Sequence, residues 1–147
     1  MAFFKFGQKN IVEPKAPLTG AKKILVVDDN PIILKAMSLL LTAKGYAVLL
    51  AESGADTISI LGREKPDLIL LDLDFPPDPA SNLIDGFLTL EWARRFGTAQ
   101  DIPVIIISAL EPEEYQKRAE AAGIDTCFRK PVNERQLLEA IRAELGD

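Results

Sequence analysis

Four short runs constrain this fold more than any other feature of the chain: "KILVV" (Lys23–Val27), "YAVLLA" (Tyr46–Ala51), "LILL" (Leu68–Leu71) and "PVIIIS" (Pro103–Ser108). A strand with one wet face alternates apolar and polar residues, whereas a strand that is apolar throughout needs cover on both faces. Helical patterns stand between the runs. Asn30-Pro31 supplies an N-cap and a helix-compatible first position, Ile33, Met37, Leu40 and Leu41 recur at helical spacing, and Gly45 ends the helix. Ser53 caps a second helix carrying Ile58 and Leu61, and Pro66-Asp67 leads into the third strand. After a loop from Leu73 to Asp85, the residues Phe87, Leu90 and Trp92 mark a third helix. Pro112 opens a fourth helix ending at Gly123, and a short fifth strand lies around Thr126–Arg129. The last helix carries Leu137, Leu138, Ile141 and Leu145 and is capped by Asn133, with Gln136 three residues later. Strand-then-helix repeats of this kind predict an α/β, doubly wound, five-stranded parallel sheet in the order 2-1-3-4-5. Its ligand crevice would lie at the carboxyl ends where strands 1 and 3 meet. The dinucleotide-binding alternative wants a glycine-rich turn after strand 1, and here that turn reads "VVDDNP".

Residues 1–21 contain two prolines, two glycines and no clear period, and read as an irregular arm before a domain over 22–147. The segment "MAFFKFGQK" has no continuous apolar core of the kind a signal peptide needs, and no apolar run approaches the ~18 residues of a membrane span. With 17 basic and 22 acidic side chains the net charge is −5, a poor footprint for direct nucleic-acid binding. Histidine is absent, which excludes Ser-His-Asp and Cys-His nucleophiles and histidine-ligated zinc. Any metal must be held by carboxylates, carbonyls and water, which points to Mg²⁺ or Ca²⁺. The single cysteine, Cys127, excludes an internal disulfide and fits a reducing, cytoplasmic setting.

The same sheet edge collects the reactive side chains. Strand 1 ends in Asp28 and Asp29, strand 3 in Asp72, strand 4 in Ser108 and strand 5 in Lys130-Pro131. Any one of these reads as a helix cap, a loop hydroxyl or a solvated charge. Together they make a coherent set: close carboxylates repel unless a cation joins them, and hard oxygens with room for water suit Mg²⁺. A carboxylate can also act as nucleophile toward phosphorus, with metal and lysine neutralising the transferring group.

The set "VVDD", "LILLD", "IIISA" and "RKP", in this order and spacing, resembles the receiver domain of bacterial two-component response regulators over about residues 22–146. The resemblance implies the flavodoxin-like receiver fold and makes Asp72 the phospho-acceptor, phosphorylated from the phosphohistidine of a partner histidine kinase or phosphotransfer protein. It implies that Asp28 and Asp29 hold Mg²⁺ with Asp72, that Asp74 lends a backbone carbonyl, and that its side chain tunes phosphoryl lifetime. Ser108 then matches the switch hydroxyl, Ala109 its small neighbour and Lys130 the phosphate-binding lysine, with a cis Lys130–Pro131 bond. Such a protein is a switch rather than an enzyme, catalysing only its own phosphorylation and dephosphorylation. Because the sequence ends just after the last helix, the expectation is a stand-alone regulator acting on a downstream protein target. Homodimerisation through the fourth helix, fifth strand and fifth helix is a family-level expectation.

Two positions depart from the family. Cys127 stands where receivers carry an aromatic residue, and by itself it reads as a small buried apolar side chain. Phe128 is adjacent, but strand alternation points it to the other face. The segment "FPPDPASNLIDG" (Phe75–Gly86) is longer than the usual opening loop and reads as a tolerated surface insertion, since loop length costs little entropy. Two rival functions stand beside the switch. One is a receiver-like adaptor that works without phosphorylation. The other, suggested by "LILLDLD", is a haloacid-dehalogenase-like phosphatase, whose metal-binding acidic pair would follow the motif rather than precede it.

Overall fold

A computed structural model describes residues 20–73, 86–95 and 101–146, except the side chains at 86, 87 and 92. The expected arm, the loop over 74–85 and the Phe87 and Trp92 side chains therefore lie outside the described residues. The strands are β1 (Lys23–Val27), β2 (Ala47–Ala51), β3 (Leu68–Asp72), β4 (Val104–Ser108) and β5 (Thr126–Arg129). They form one parallel sheet in the order β2-β1-β3-β4-β5, as the apolar runs predict. The helices are α1 (Pro31–Ala43), α2 (Gly54–Arg63), α3 (Gly86–Arg95), α4 (Gln116–Ala121) and α5 (Glu134–Leu145).

Alternation along each central strand divides the core into two layers. Leu25, Val27, Ile69, Leu71, Val104 and Ile106 pack with Ile60 and Leu61 of α2, Leu90 and Ala93 of α3 and Ala119 of α4. Ile24, Val26, Leu68, Leu70, Ile105 and Ile107 pack on the other side with Leu34 and Leu41 of α1 and Leu137, Leu138 and Ile141 of α5. β3 and β4 are buried from end to end, which is why they read as unbroken apolar runs.

Local signals set the helix starts. Asn30 Oδ1 accepts from the Ile32 amide at 2.9 Å, Ser53 Oγ from the Asp56 amide at 3.1 Å and Asn133 Oδ1 from the Gln136 amide at 3.0 Å. Three details differ from the sequence reading. In α1 the buried positions are Leu34 and Leu41, while Ile33, Met37 and Leu40 stay only partly covered. In α2 it is Ile60, not Ile58, that joins Leu61 in the core. The helix opened by Pro112 is split: Pro112–Glu114 is a 3-10 turn, Tyr115 breaks it, and α4 proper begins at Gln116. Tyr115 is the pivot because its side chain turns into the α2–α4 layer, where it is 6% exposed.

Candidate functional site

The parallel register brings the predicted residues to one edge. Val27 pairs with Leu71, so Asp28 follows beside Asp72 at the carboxyl ends of the two adjoining central strands. Asp72 lies opposite Ile107, one residue before Ser108, and Ser108 pairs with Arg129, one residue before Lys130. Asp28, Asp72 and Ser108 are all buried, at 4%, 2% and 0% exposure.

Two buried carboxylates side by side are costly unless something compensates them. The compensation is Lys130, whose Nζ lies 3.1 Å from Asp72 Oδ1 and 3.4 Å from Asp28 Oδ2. Lys130 is held there by its backbone, because its amide donates to the Ser108 carbonyl at 2.9 Å; its bond to Pro131 is cis, as the resemblance implies. Asp28 is oriented by the start of α1: its Oδ1 accepts from the Asn30 amide at 2.9 Å, and its own amide donates to Ala51 at the end of β2 at 3.0 Å. The N-terminal dipole of α1 adds a favourable field for that negative charge.

Asp29 completes the cluster from the solvent side. Carboxylate oxygens of Asp28, Asp29 and Asp72 lie within 4.8 Å of one another, two of these residues buried and one exposed. One ammonium offsets only part of this charge. A hard, oxygen-only donor set with an open side fits Mg²⁺, which keeps several waters and takes few protein ligands. Asp74 lies outside the described residues.

Ser108 controls the strap that leaves β4. Its Oγ accepts from the Leu110 amide at 3.0 Å. Glu111 then anchors the strap to β5 through Arg129, at 2.6 and 3.2 Å, and its amide donates to Glu114 Oε2 at 2.9 Å. Ala109 beside Ser108 is exposed, leaving the edge accessible.

Cys127 corrects the expectation of a buried apolar residue: it is exposed, because β5 is an edge strand with less cover than its neighbours. Its thiol is nonetheless partly covered. Burial pushes its pKa up, with Asp125 adding to the rise, while a hydrogen bond with the Tyr115 side chain works against it. Phe128 packs on the opposite layer, with α1 and α5, as alternation requires. The contact between Tyr115 and Cys127 carries no sequence signal, because it depends on where the split fourth helix turns. Arg94 of α3 likewise ties elements together, donating to the carbonyls of Ala122 and, at 3.1 Å, Ile102.

Comparison with known proteins gives a consistent picture. The family model described as "Response regulator receiver domain" matches residues 24–142. Protein PilH of Pseudomonas aeruginosa is 32% identical over 124 residues, covering 84% of this chain and 98% of that protein. The polar-differentiation response regulator DivK of Brucella anthropi is 26% identical over 126 residues, covering 86% and 98%. A CheY-like receiver domain protein from Methanospirillum hungatei superposes with a TM-score of 0.75 at 29% identity, covering 86% of this chain and 94% of that one. Among the described residues no helix is long and apolar enough to cross a membrane.

Proposed function

This chain belongs to the response regulator receiver domain family of two-component signalling, and on that premise we propose that it is a phosphoryl-accepting switch whose acceptor is Asp72. The observation that carries the reading is the pairing of Lys130 Nζ with Asp72 Oδ1 at 3.1 Å inside a cluster of three carboxylates. Asp72 is the nucleophile: a carboxylate oxygen attacks phosphorus, the P–N bond of a donor phosphohistidine breaks, and the electron pair returns to the imidazole nitrogen. The chain has no histidine, so that donor sits on a partner, a histidine kinase or phosphotransfer protein.

Asp28, Asp29 and Asp72, with the backbone carbonyl of Asp74, would hold Mg²⁺. When bound, the ion neutralises charge on the transferring phosphoryl oxygens. Lys130 supplies a further positive charge and orients Asp72, its Nζ lying 3.1 Å from Asp72 Oδ1. Ser108 offers the hydroxyl that reads the new phosphoryl group, and output passes to a downstream protein through surface contacts. The net charge of −5 argues against direct nucleic-acid contact.

Incubation with Mg²⁺ and acetyl phosphate tests this by intact mass. The expected result is one added phosphoryl group per chain, dependent on Mg²⁺ and lost in Asp72→Asn. A chain that stays unmodified would instead be an adaptor independent of phosphorylation, and multiple turnover of the phosphodonor would mark a phosphatase.

A further inference from the structure

The two edges of the sheet are guarded differently. β5 ends in Arg129 and is followed by Lys130, and charge of this kind discourages another strand from pairing there. β2 reads "AVLLA" over Ala47–Ala51, with no charged residue and no proline, and among the described residues no strand lies beyond it. Its backbone groups divide by position. The Ala47 amide donates to the Lys22 carbonyl at 2.9 Å and the Ala51 carbonyl accepts from Asp28 at 3.0 Å, so Ala47, Leu49 and Ala51 turn theirs to β1. By alternation those of Val48 and Leu50 turn outward. Beside this edge an open depression of about 620 Å³ lies between α1 and β2, lined by Leu39, Leu50, Lys35, Glu52 and Asp56. Leu39 and Leu50 are 54% and 40% exposed.

We propose that this edge pairs with the same edge of a second copy of the chain, antiparallel across a two-fold axis perpendicular to the sheet. A two-fold contact must be self-complementary, and the edge meets that condition in three ways. A pair centred on Leu49 sets Val48 opposite Leu50 of the second copy, so the outward N–H and C=O groups of both find partners. The same axis leaves α1 of both copies on one face of the joined sheet, where Leu39 and Leu50 of each copy flank the seam and lose contact with water. Charge fits as well. One end of β2 is acidic, with Glu52 and Asp56 exposed. The other end is basic, with Lys22 and Lys44 exposed and Glu64 already paired with Lys23 at 3.3 Å. Antiparallel pairing lays each acidic end against the basic end of the other copy, whereas parallel pairing would set like charges together. Because the strands of the two copies run in opposite directions, the two carboxylate sites open at opposite ends of the joined sheet and neither is covered. This interface is distinct from the family-level expectation of the fourth helix, fifth strand and fifth helix.

Sedimentation of the full chain, with amide hydrogen exchange read by nitrogen-15 NMR, tests the pairing. The expected mass rises from one copy toward two between about 30 and about 1,000 µM, the range in which a small interface dissociates. Over that range exchange at the Val48 and Leu50 amides should slow several-fold, while Ala47 and Leu49, already bonded to β1, change little. Leu50→Lys should hold the chain at the mass of one copy throughout. Glu52→Lys and Lys44→Glu should each weaken association, and the double reversal Glu52→Lys/Lys44→Glu should restore it. A wild-type chain that stays monomeric at the top of the range overturns the proposal. So does a dimer unaffected by Leu50→Lys, which would place the contact on another face. Protection of Val48 and Leu50 that does not vary with concentration also overturns it, because the occupant would then belong to the same chain. A double reversal that associates no better than the single variants excludes the antiparallel arrangement and overturns it too. None of these readings depends on phosphorylation, so the pairing stands or falls independently of the proposed switch.

Discussion

Removing the Lys130 ammonium probes how the buried carboxylates are tolerated. In Lys130→Met the side chain keeps its length and loses its charge, so Asp28 and Asp72, 5% and 2% exposed at their side chains, face each other without their shared cation. At an effective dielectric of about 20, the attractions at 3.1 and 3.4 Å are each about 5 kcal/mol gross. Desolvation of the lysine and the carboxylate–carboxylate repulsion offset much of that. Breaking a buried pair typically costs about 3–5 kcal/mol. Here the lysine side chain is 23% exposed, so water screens it. The expected loss is therefore about 2–4 kcal/mol in metal-free buffer, read as a lower urea midpoint at unchanged slope. The double variant Lys130→Met/Asp72→Asn should recover at least half the loss, because one of the two opposed charges is gone. Mg²⁺ should narrow the gap between wild type and Lys130→Met, since it supplies the missing positive charge. A single variant within about 0.5 kcal/mol of wild type, or a double variant no more stable than the single, would refute the argument, because ordinary surface changes fall in that range.

Three further outcomes follow from the packing. Ile106 is fully buried at the centre of β4, so Ile106→Ala should cost about 2–5 kcal/mol in chemical denaturation, with phosphorylation of the remaining folded fraction by acetyl phosphate retained. Burial raises the Cys127 pKa, so the thiolate fraction at neutral pH is smaller than for a free thiol. Iodoacetamide should react slowly at pH 7 and reach half its maximal rate only above the ordinary thiol range of about 8.5. Tyr115→Phe removes the hydrogen bond that lowers this pKa and should move the inflection further up; a downward move would reverse the assignment.

The sheet was legible because central parallel strands bury both faces, so β3 and β4 announce themselves as "LILL" and "VIII" without help from context. The helix starts were legible for a similarly local reason: Asn30, Ser53 and Asn133 each satisfy amides two or three residues ahead. The burial of particular helix residues was not local. Ile58 and Ile60 satisfy a helical period nearly equally, and only the direction from which α2 meets the sheet selects Ile60. Likewise Ile33, Met37 and Leu40 have the spacing of core residues, yet α5 leaves their side of α1 incompletely covered. Of the candidate site, the sequence placed the residue types at the strand ends; the pairing of Lys130 with both Asp28 and Asp72 needed the turn after β5. Nothing in a sequence period could have indicated that Tyr115 would leave its helix to meet Cys127.

The hydrogen bond from the Leu110 amide to Ser108 Oγ, at 3.0 Å, sets the energy scale of any switching motion. In the proposed switch, a turn of Ser108 toward a phosphorylated Asp72 would exchange this neutral bond, worth about 1 kcal/mol, for one to a charged acceptor, worth about 1.5–3 kcal/mol. The difference of about 0.5–2 kcal/mol corresponds to a population ratio of only about 2- to 30-fold. On the proposed reading such a switch would behave as a rheostat rather than a latch: Ser108 conformers this close in energy both stay populated, and hydrogen exchange at the Leu110 amide would report the turned one.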